Sequence, residues 1–156
     1  MEWFSNCIFG LMVLVTGATG LVGSHLVFDL LQKGYHVRAM YRNQNKIKRV
    51  EQLVHYYAPE EARQLLQKME WFKGDVKDID SITTSLHGCT EVYHTAALVS
   101  FNKKDYNRLL ATNKYGTANV VNCALDQGIR KFGFVSSTAA IGTPRKGCAS
   151  EKDLWK

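Results

Sequence analysis

Three glycines, at positions 17, 20 and 23 of "TGATGLVG", stand where a ligand could meet bare main chain. They follow the apolar run "LMVLVT" (11–16) and open the amphipathic stretch "LVGSHLVFDLLQKG" (21–34). A parallel strand that passes directly into a helix leaves the helix's first N–H groups unpaired, and the helix dipole favours an anion there. A diphosphate reaches that point only where side chains are absent. Gly17 permits the tight turn, Gly20 the approach of the diphosphate, and Gly23 the close packing of helix on strand. The spacing is G-x-x-G-x-x-G, and no G-K-[ST] follows, which excludes a Walker A loop. The alternative is a tight strand–helix turn with no ligand.

The end of the next strand bears on which dinucleotide would fit. An NAD site places an acid about 20 residues after the glycines, bonded to the ribose 2′-hydroxyl. Tyr41 and Arg42 stand there instead, and no acid occurs between Asp29 and Glu51. A carboxylate would repel a 2′-phosphate, whereas a guanidinium binds it through paired, charge-assisted bonds. The expected cofactor is therefore NADP, with NAD as the alternative, and Lys46 or Arg49 could assist. The other reading of Arg42 is that it stacks on adenine or faces solvent.

The elements that must position these residues show as alternating apolar and amphipathic runs. Residues 11–16 read as a buried strand, 21–34 as a helix stopped by Gly34, and 36–42 as the second strand. Residues 45–58 and 59–68 read as two helices, the second started by Pro59 with Glu60 and Glu61 in its first turn. Residues 69–75, 91–97 and 131–137 are the remaining strands; 78–88 and 105–128 are helices ending at Gly88 and Gly128. Beyond Thr138 the pattern decays. Helices between apolar strands imply right-handed crossovers. The expected fold is α/β, a doubly wound parallel (Rossmann) sheet of strand order 3-2-1-4-5, truncated after the fifth strand, with its ligand at the carboxyl ends of the strands. Residues 1–10 read as an extension and 11–156 as one NAD(P)-binding domain, incomplete at its C-terminus.

A chain of 156 residues, 46% hydrophobic and 22% charged, is long and apolar enough for one domain with a core, and too apolar for a disordered chain. The longest apolar run, Cys7 to Val15, is too short to span a bilayer, so no membrane partner is expected. Glu2, with no Lys or Arg beside it and no small-x-small site downstream, argues against a signal peptide. Both Met1 and Met12 could be the natural start. Cys7, Cys89, Cys123 and Cys148 form no C-x-x-C pair and lie at no zinc spacing, so no metal site is expected and a reducing cytoplasm is. Cys123 reads as a small core residue. The net charge of +6 is spread out apart from 42–49 and Lys103-Lys104, and no nucleic-acid recognition module accompanies it, so no nucleic-acid partner is expected.

Five segments in one register, "VTGATGLVGSHL", "GDV" (74–76), "HTAA" (94–97), "NKYGTANV" (113–120) and "FVSSTAAIG" (134–142), resemble the extended short-chain dehydrogenases/reductases, the NAD-dependent epimerase/dehydratase group. That group includes sugar-nucleotide epimerases, dihydroflavonol-type reductases and steroid-type dehydrogenases. The resemblance places Gly17, Thr19, Gly20, Leu21 and Val22 in the phosphate loop and Arg42 at the 2′-phosphate. It sets Asp75 and Val76 beside adenine, Ala96 and Ala97 under the nicotinamide ribose, and Asn113 in the asparagine position of the long helix. Ser137 becomes the catalytic hydroxyl, five residues before Gly142, with Thr138 as the fallback. Taken singly, Asp75 would be a turn carboxylate, Asn113 a surface polar group and Ser137 a strand-end residue; the shared register favours the site. His94 reads as a packed histidine rather than a base.

In that group a tyrosinate is the general acid/base, a lysine four residues later lowers its pKa, and the serine stabilises charge on the substrate oxygen during hydride transfer. No tyrosine here has a lysine four residues on, and the motif would fall just past Lys156. The resemblance thus implies the nicotinamide-dinucleotide-binding portion of an NAD(P)-dependent epimerase, dehydratase or reductase acting on a carbonyl or hydroxyl substrate. That small-molecule substrate would be held by a C-terminal part not in this sequence. The alternative is a non-catalytic NAD(P)-binding or sensing module. A missing sixth strand and covering helix would leave an apolar sheet edge and favour self-association or limited solubility.

Overall fold

The apolar run before the glycines forms strand β1 (Met12–Thr16), and its lack of polar alternation follows from burial on both faces. Val13 and Val15 pack with Val27, Leu31, Val37, Ala39, Val50, Val54 and Leu65. Leu14 packs on the opposite face with Met40, Val76, Ile82, Leu86, Val92, Val120 and Ala124. The computed structural model describes residues 12–141, 147, 148 and 150. The expected 1–10 extension and Gly142 lie outside them.

Strands β2 (His36–Tyr41), β3 (Met69–Lys73), β4 (Cys89–His94) and β5 (Lys131–Phe134) join β1 in a parallel sheet of order β3-β2-β1-β4-β5, the order expected. Helix α1 (Leu21–Gln32) links β1 to β2, and α2 (Ile47–Tyr57) and α3 (Ala62–Leu66) link β2 to β3. Helix α4 (Ile79–Leu86) links β3 to β4. The last crossover runs through α5 (Tyr106–Leu109), a π-helical stretch (Leu110–Gly116) and α6 (Thr117–Asp126). The two core clusters set α1, α2 and α3 on one face of the sheet and α4 and α6 on the other. Among the described residues no helix is long and apolar enough to cross a membrane.

Several boundaries differ from the sequence reading, each for a local reason. Pro59 does not start a helix. The residue before a proline is kept out of the α region, and Ala58 sits at φ −141°, ψ 66°. A turn closed by Glu61 N–H to Ala58 O (3.2 Å) follows, and α3 begins only at Ala62, leaving Glu60 and Glu61 ahead of it. Strands β3, β4 and β5 end earlier than expected, at Lys73, His94 and Phe134. The residues they shed, Gly74, Asp75, Thr95, Ala96 and Ala97 among them, leave the sheet to line its carboxyl edge. The expected uniform helix over 105–128 contains instead the wider π turn, a feature frequent at functional sites.

Arg38 and Arg42 lie on the same strand region with opposite fates. Arg38 donates from Nη1 to Ser85 O and His87 O, both at 2.7 Å, and pairs with Glu70 at 3.2 Å, so it ties β2 to β3 and the end of α4. Arg42 lies beyond the end of β2, with 63% of its side chain exposed to the crevice and solvent.

Candidate functional site

The crevice lies at the carboxyl ends of β1, β2, β3 and β4, where the sheet's winding reverses between β1 and β4. Each glycine of the first loop answers a different steric demand. Gly17 has φ +69°, and a Cβ there would lie 2.6 Å from the Ala96 backbone, so both conformation and space demand glycine. A Cβ on Gly23 would collide with Gly17 O and with Thr95 Oγ1, because α1 packs directly on the loop. Gly20 differs: its φ −84°, ψ 171° suits any residue, and a Cβ would approach only Gly17 O, at 3.2 Å. Gly20 is the N-cap of the 12-residue α1, and no side chain caps that helix. What glycine supplies at position 20 is the lack of a side chain at a helix start that no side chain caps, with Gly17 O as the one atom within 4 Å of an added Cβ.

Behind the loop, a chain of polar contacts fixes the β1 and β4 ends. Thr16 Oγ1 lies 2.6 Å from His94 Nδ1, and Ala96 N–H donates to the same oxygen at 3.4 Å. His94 Nε2 lies 2.9 Å from Thr117 Oγ1 on α6. Thr95 donates its hydroxyl to Thr16 O at 2.7 Å. His94 is fully buried, and burial pushes its pKa down to about 4, so the ring is neutral at neutral pH. This is a packed histidine holding the crevice floor.

The far end of the crevice is electrostatically mixed. Asp75, just past β3, has Oδ2 4.0 Å from Arg42 Nη1 and 3.6 Å from Lys77 Nζ. Its Oδ1 accepts the Lys77 N–H at 3.0 Å, and Ser81 Oγ accepts the Asp75 N–H at 3.2 Å. The sequence shows no acid on β2, yet the fold delivers one from the neighbouring strand.

Of the residues singled out from sequence, Gly17, Thr19, Gly20, Arg42, Asp75, Val76, Ala96 and Ala97 line one crevice, and Lys46 joins them. Leu21 and Val22 are 80% and 52% exposed, so they would serve the loop through main chain. Gly23 is buried under the loop. Asn113 is not in the crevice wall. It exchanges two 2.8 Å bonds with the main chain of Leu98, Nδ2 donating to Leu98 O and Oδ1 accepting from Leu98 N–H, and so pins the segment after Ala97. Ser137 and Thr138 lie past β5 at the opening of a 3₁₀ turn, Thr138–Ala140, and are not part of that wall. Arg49 is likewise outside it. Sequence reasoning missed Met40, Thr112 and Lys77. Thr112 lines the crevice from within the π-helical stretch, which no periodicity in the sequence announces.

A doubly wound parallel sheet with a glycine-rich corner at its switch point defines a Rossmann-type chain. The chain belongs to the NAD dependent epimerase/dehydratase family, whose sequence model matches residues 13–154. A putative dihydroflavonol 4-reductase of Synechocystis sp. is 35% identical over 143 residues, covering 92% of this chain and 36% of the relative. Cinnamoyl-CoA reductase 1 of Oryza sativa subsp. japonica is 36% identical over 130 residues, covering 83% of this chain and 35% of the relative. A short-chain dehydrogenase/reductase superfamily protein of Agrobacterium tumefaciens, solved with bound NAD, superposes with TM-score 0.72 at 25% identity, over 93% of this chain and 39% of that one. The chain thus spans little more than a third of the length of these proteins.

Proposed function

We propose that this chain is the cofactor-binding part of an NADP(H)-dependent reductase or related epimerase/dehydratase-type oxidoreductase acting on a carbonyl or hydroxyl substrate. The observation that carries the reading is Gly20, a glycine that its φ and ψ do not require, which lines the crevice at a helix start that no side chain caps. A diphosphate explains it: the main chain of residues 17–22 would hold the two phosphates. Asp75 and Val76 would flank adenine, and Ala96 and Ala97 would underlie the nicotinamide ribose, with Asn113 fixing the loop that follows. Arg42, helped by Lys46, would take the 2′-phosphate, which supports NADP over NAD. Ser137, or Thr138 in its place, would bond the substrate oxygen. The bound nicotinamide would supply or accept the hydride.

The names of the relatives, reductases of dihydroflavonol and cinnamoyl-CoA type, support reduction of a carbonyl compound. The free thiols of Cys89, Cys123 and Cys148 support residence in a reducing cytoplasm. Phe134 and Val135, 52% and 46% exposed at the β5 edge, support self-association, which a monodisperse monomer in sedimentation would contradict. The cofactor reading is tested by titrating NADPH and NADH into wild type and Arg42→Ala. The preference for NADPH should fall about tenfold or more on loss of the charge-assisted bonds. An unchanged preference removes Arg42 from this role.

A further inference from the structure

Arg42 has a carboxylate for a neighbour, which raises the question of what keeps that carboxylate from cancelling it. Asp75 Oδ2 lies 4.0 Å from Arg42 Nη1. An unshielded carboxylate at that distance would tether the guanidinium and repel an incoming phosphate, the effect that an acid on β2 would have. Lys77 is closer to Asp75 than Arg42 is, with Nζ 3.6 Å from the same Oδ2 and its own N–H on Oδ1 at 3.0 Å. The lysine therefore holds the carboxylate by both side chain and main chain.

We infer that Lys77 is a specificity-determining residue, which favours NADPH over NADH by engaging Asp75 and leaving Arg42 available to the 2′-phosphate. This rests on the reading of Arg42 given above. The surroundings agree in sign. A hollow bordered by Arg42, Lys77 and Arg108 carries no acid in its wall. A second hollow, on another side of Arg42, sets Lys73 against Asp75 and Asp78. With Lys46 in the main crevice, the cations around Arg42 outnumber the carboxylates, and Lys77 is the one that contacts Asp75. Asp75 itself stays in place for adenine, so one acid serves the base without opposing the phosphate.

The test is a double-mutant cycle read as the ratio of NADPH to NADH affinity, by fluorescence titration of wild type, Lys77→Gln, Asp75→Asn and the double variant. The ratio cancels any contact that Asp75 makes with the part common to both cofactors. Lys77→Gln should lower the ratio about threefold, the scale of a half-exposed ion pair. In the Asp75→Asn background the same change should leave the ratio where it is. A ratio unmoved by Lys77→Gln overturns the inference, and so does an equal drop in both backgrounds, which would mean that Lys77 acts on the phosphate directly. Arg42→Ala separates the two levels. If it lowers the ratio while Lys77→Gln does not, the inference alone fails. If wild type shows no preference and Arg42→Ala changes nothing, the NADP reading fails and the inference with it.

Discussion

Thr16 and His94, side by side at the carboxyl ends of β1 and β4, are joined by a 2.6 Å contact between Oγ1 and Nδ1 in the fully buried floor of the crevice. The same imidazole reaches Thr117 on α6 through Nε2. One side chain thus couples two central strands to the helix that crosses above them. Only a neutral ring, with one nitrogen as donor and the other as acceptor, fits two hydroxyl neighbours without a buried charge.

That arrangement makes stability depend on pH. The folded-state pKa of His94 is about 4, pushed down by burial, while the unfolded chain titrates near 6.5. The unfolded state therefore takes up the proton first. The stabilisation is complete above about pH 6.5, is lost as pH falls toward 4, and changes no further below that. Between pH 7.5 and pH 5 this one group should cost about 2 kcal/mol. Urea unfolding at both pH values checks it: wild type should lose about that much more than His94→Gln. Equal losses would show that the ring titrates normally.

Glycine replacements should sort by what a Cβ meets. Gly17→Ala combines a left-handed backbone with contact on the Ala96 main chain, and should cost about 3 kcal/mol or more. Gly34 has φ +86° but nothing within 4 Å of a Cβ, so Gly34→Ala should cost about 1 kcal/mol. Similar unfolding midpoints for the two variants would mean that the packing of the loop against β4 contributes nothing.

These differences also mark how far the sequence could be read. Apolar strands between amphipathic helices have few topological solutions, so the sheet order was legible from residues 11–137 alone. That Gly17, Gly20 and Arg42 share one crevice could be read from sequence, because each stands at the carboxyl end of one of two neighbouring strands. Asp75 beside Arg42 was not, since it depends on β3 lying next to β2 in a particular register, Tyr41 opposite Lys73. Asn113 was picked out by the resemblance, but its bonds to Leu98 reach from a π-helical stretch to a loop 15 residues earlier, which hydrophobic spacing does not reveal. Pro59 misled because a proline that can begin a helix also bars its predecessor from ending one.

Asn113 should act on the loop rather than on overall stability. Its two bonds to Leu98 are solvent-exposed, and Asn113→Leu removes both. Hydrogen exchange at the Leu98 amide should quicken about tenfold or more, with little change in the buried β1 amides. An unchanged Leu98 rate would show that the loop is held by other contacts.

The cysteines should react in a fixed order. Burial pushes the Cys89 thiol up to about 11, against the pull of the nearby Arg38 charge, and Cys123 is buried in the core. Cys148 is exposed. Alkylation of the folded protein at pH 8, followed by mass spectrometry, should label Cys148 well before Cys89 or Cys123. Early labelling of Cys89 would contradict its placement beneath Arg38 and the end of α4.

The most direct measurement is NADPH binding to Gly20→Val, by calorimetric titration beside wild type. Position 20 has an ordinary extended backbone, and an added Cβ meets only Gly17 O, at 3.2 Å, which a shift of a few tenths of an ångström relieves, so the variant should fold, with a circular dichroism spectrum like that of wild type. Its branched side chain would fill the space in front of the first turn of α1, and affinity should drop about a hundredfold or more, the scale of losing several charge-assisted bonds. Binding as tight as that of wild type, in a folded Gly20→Val, would mean that no diphosphate rests there.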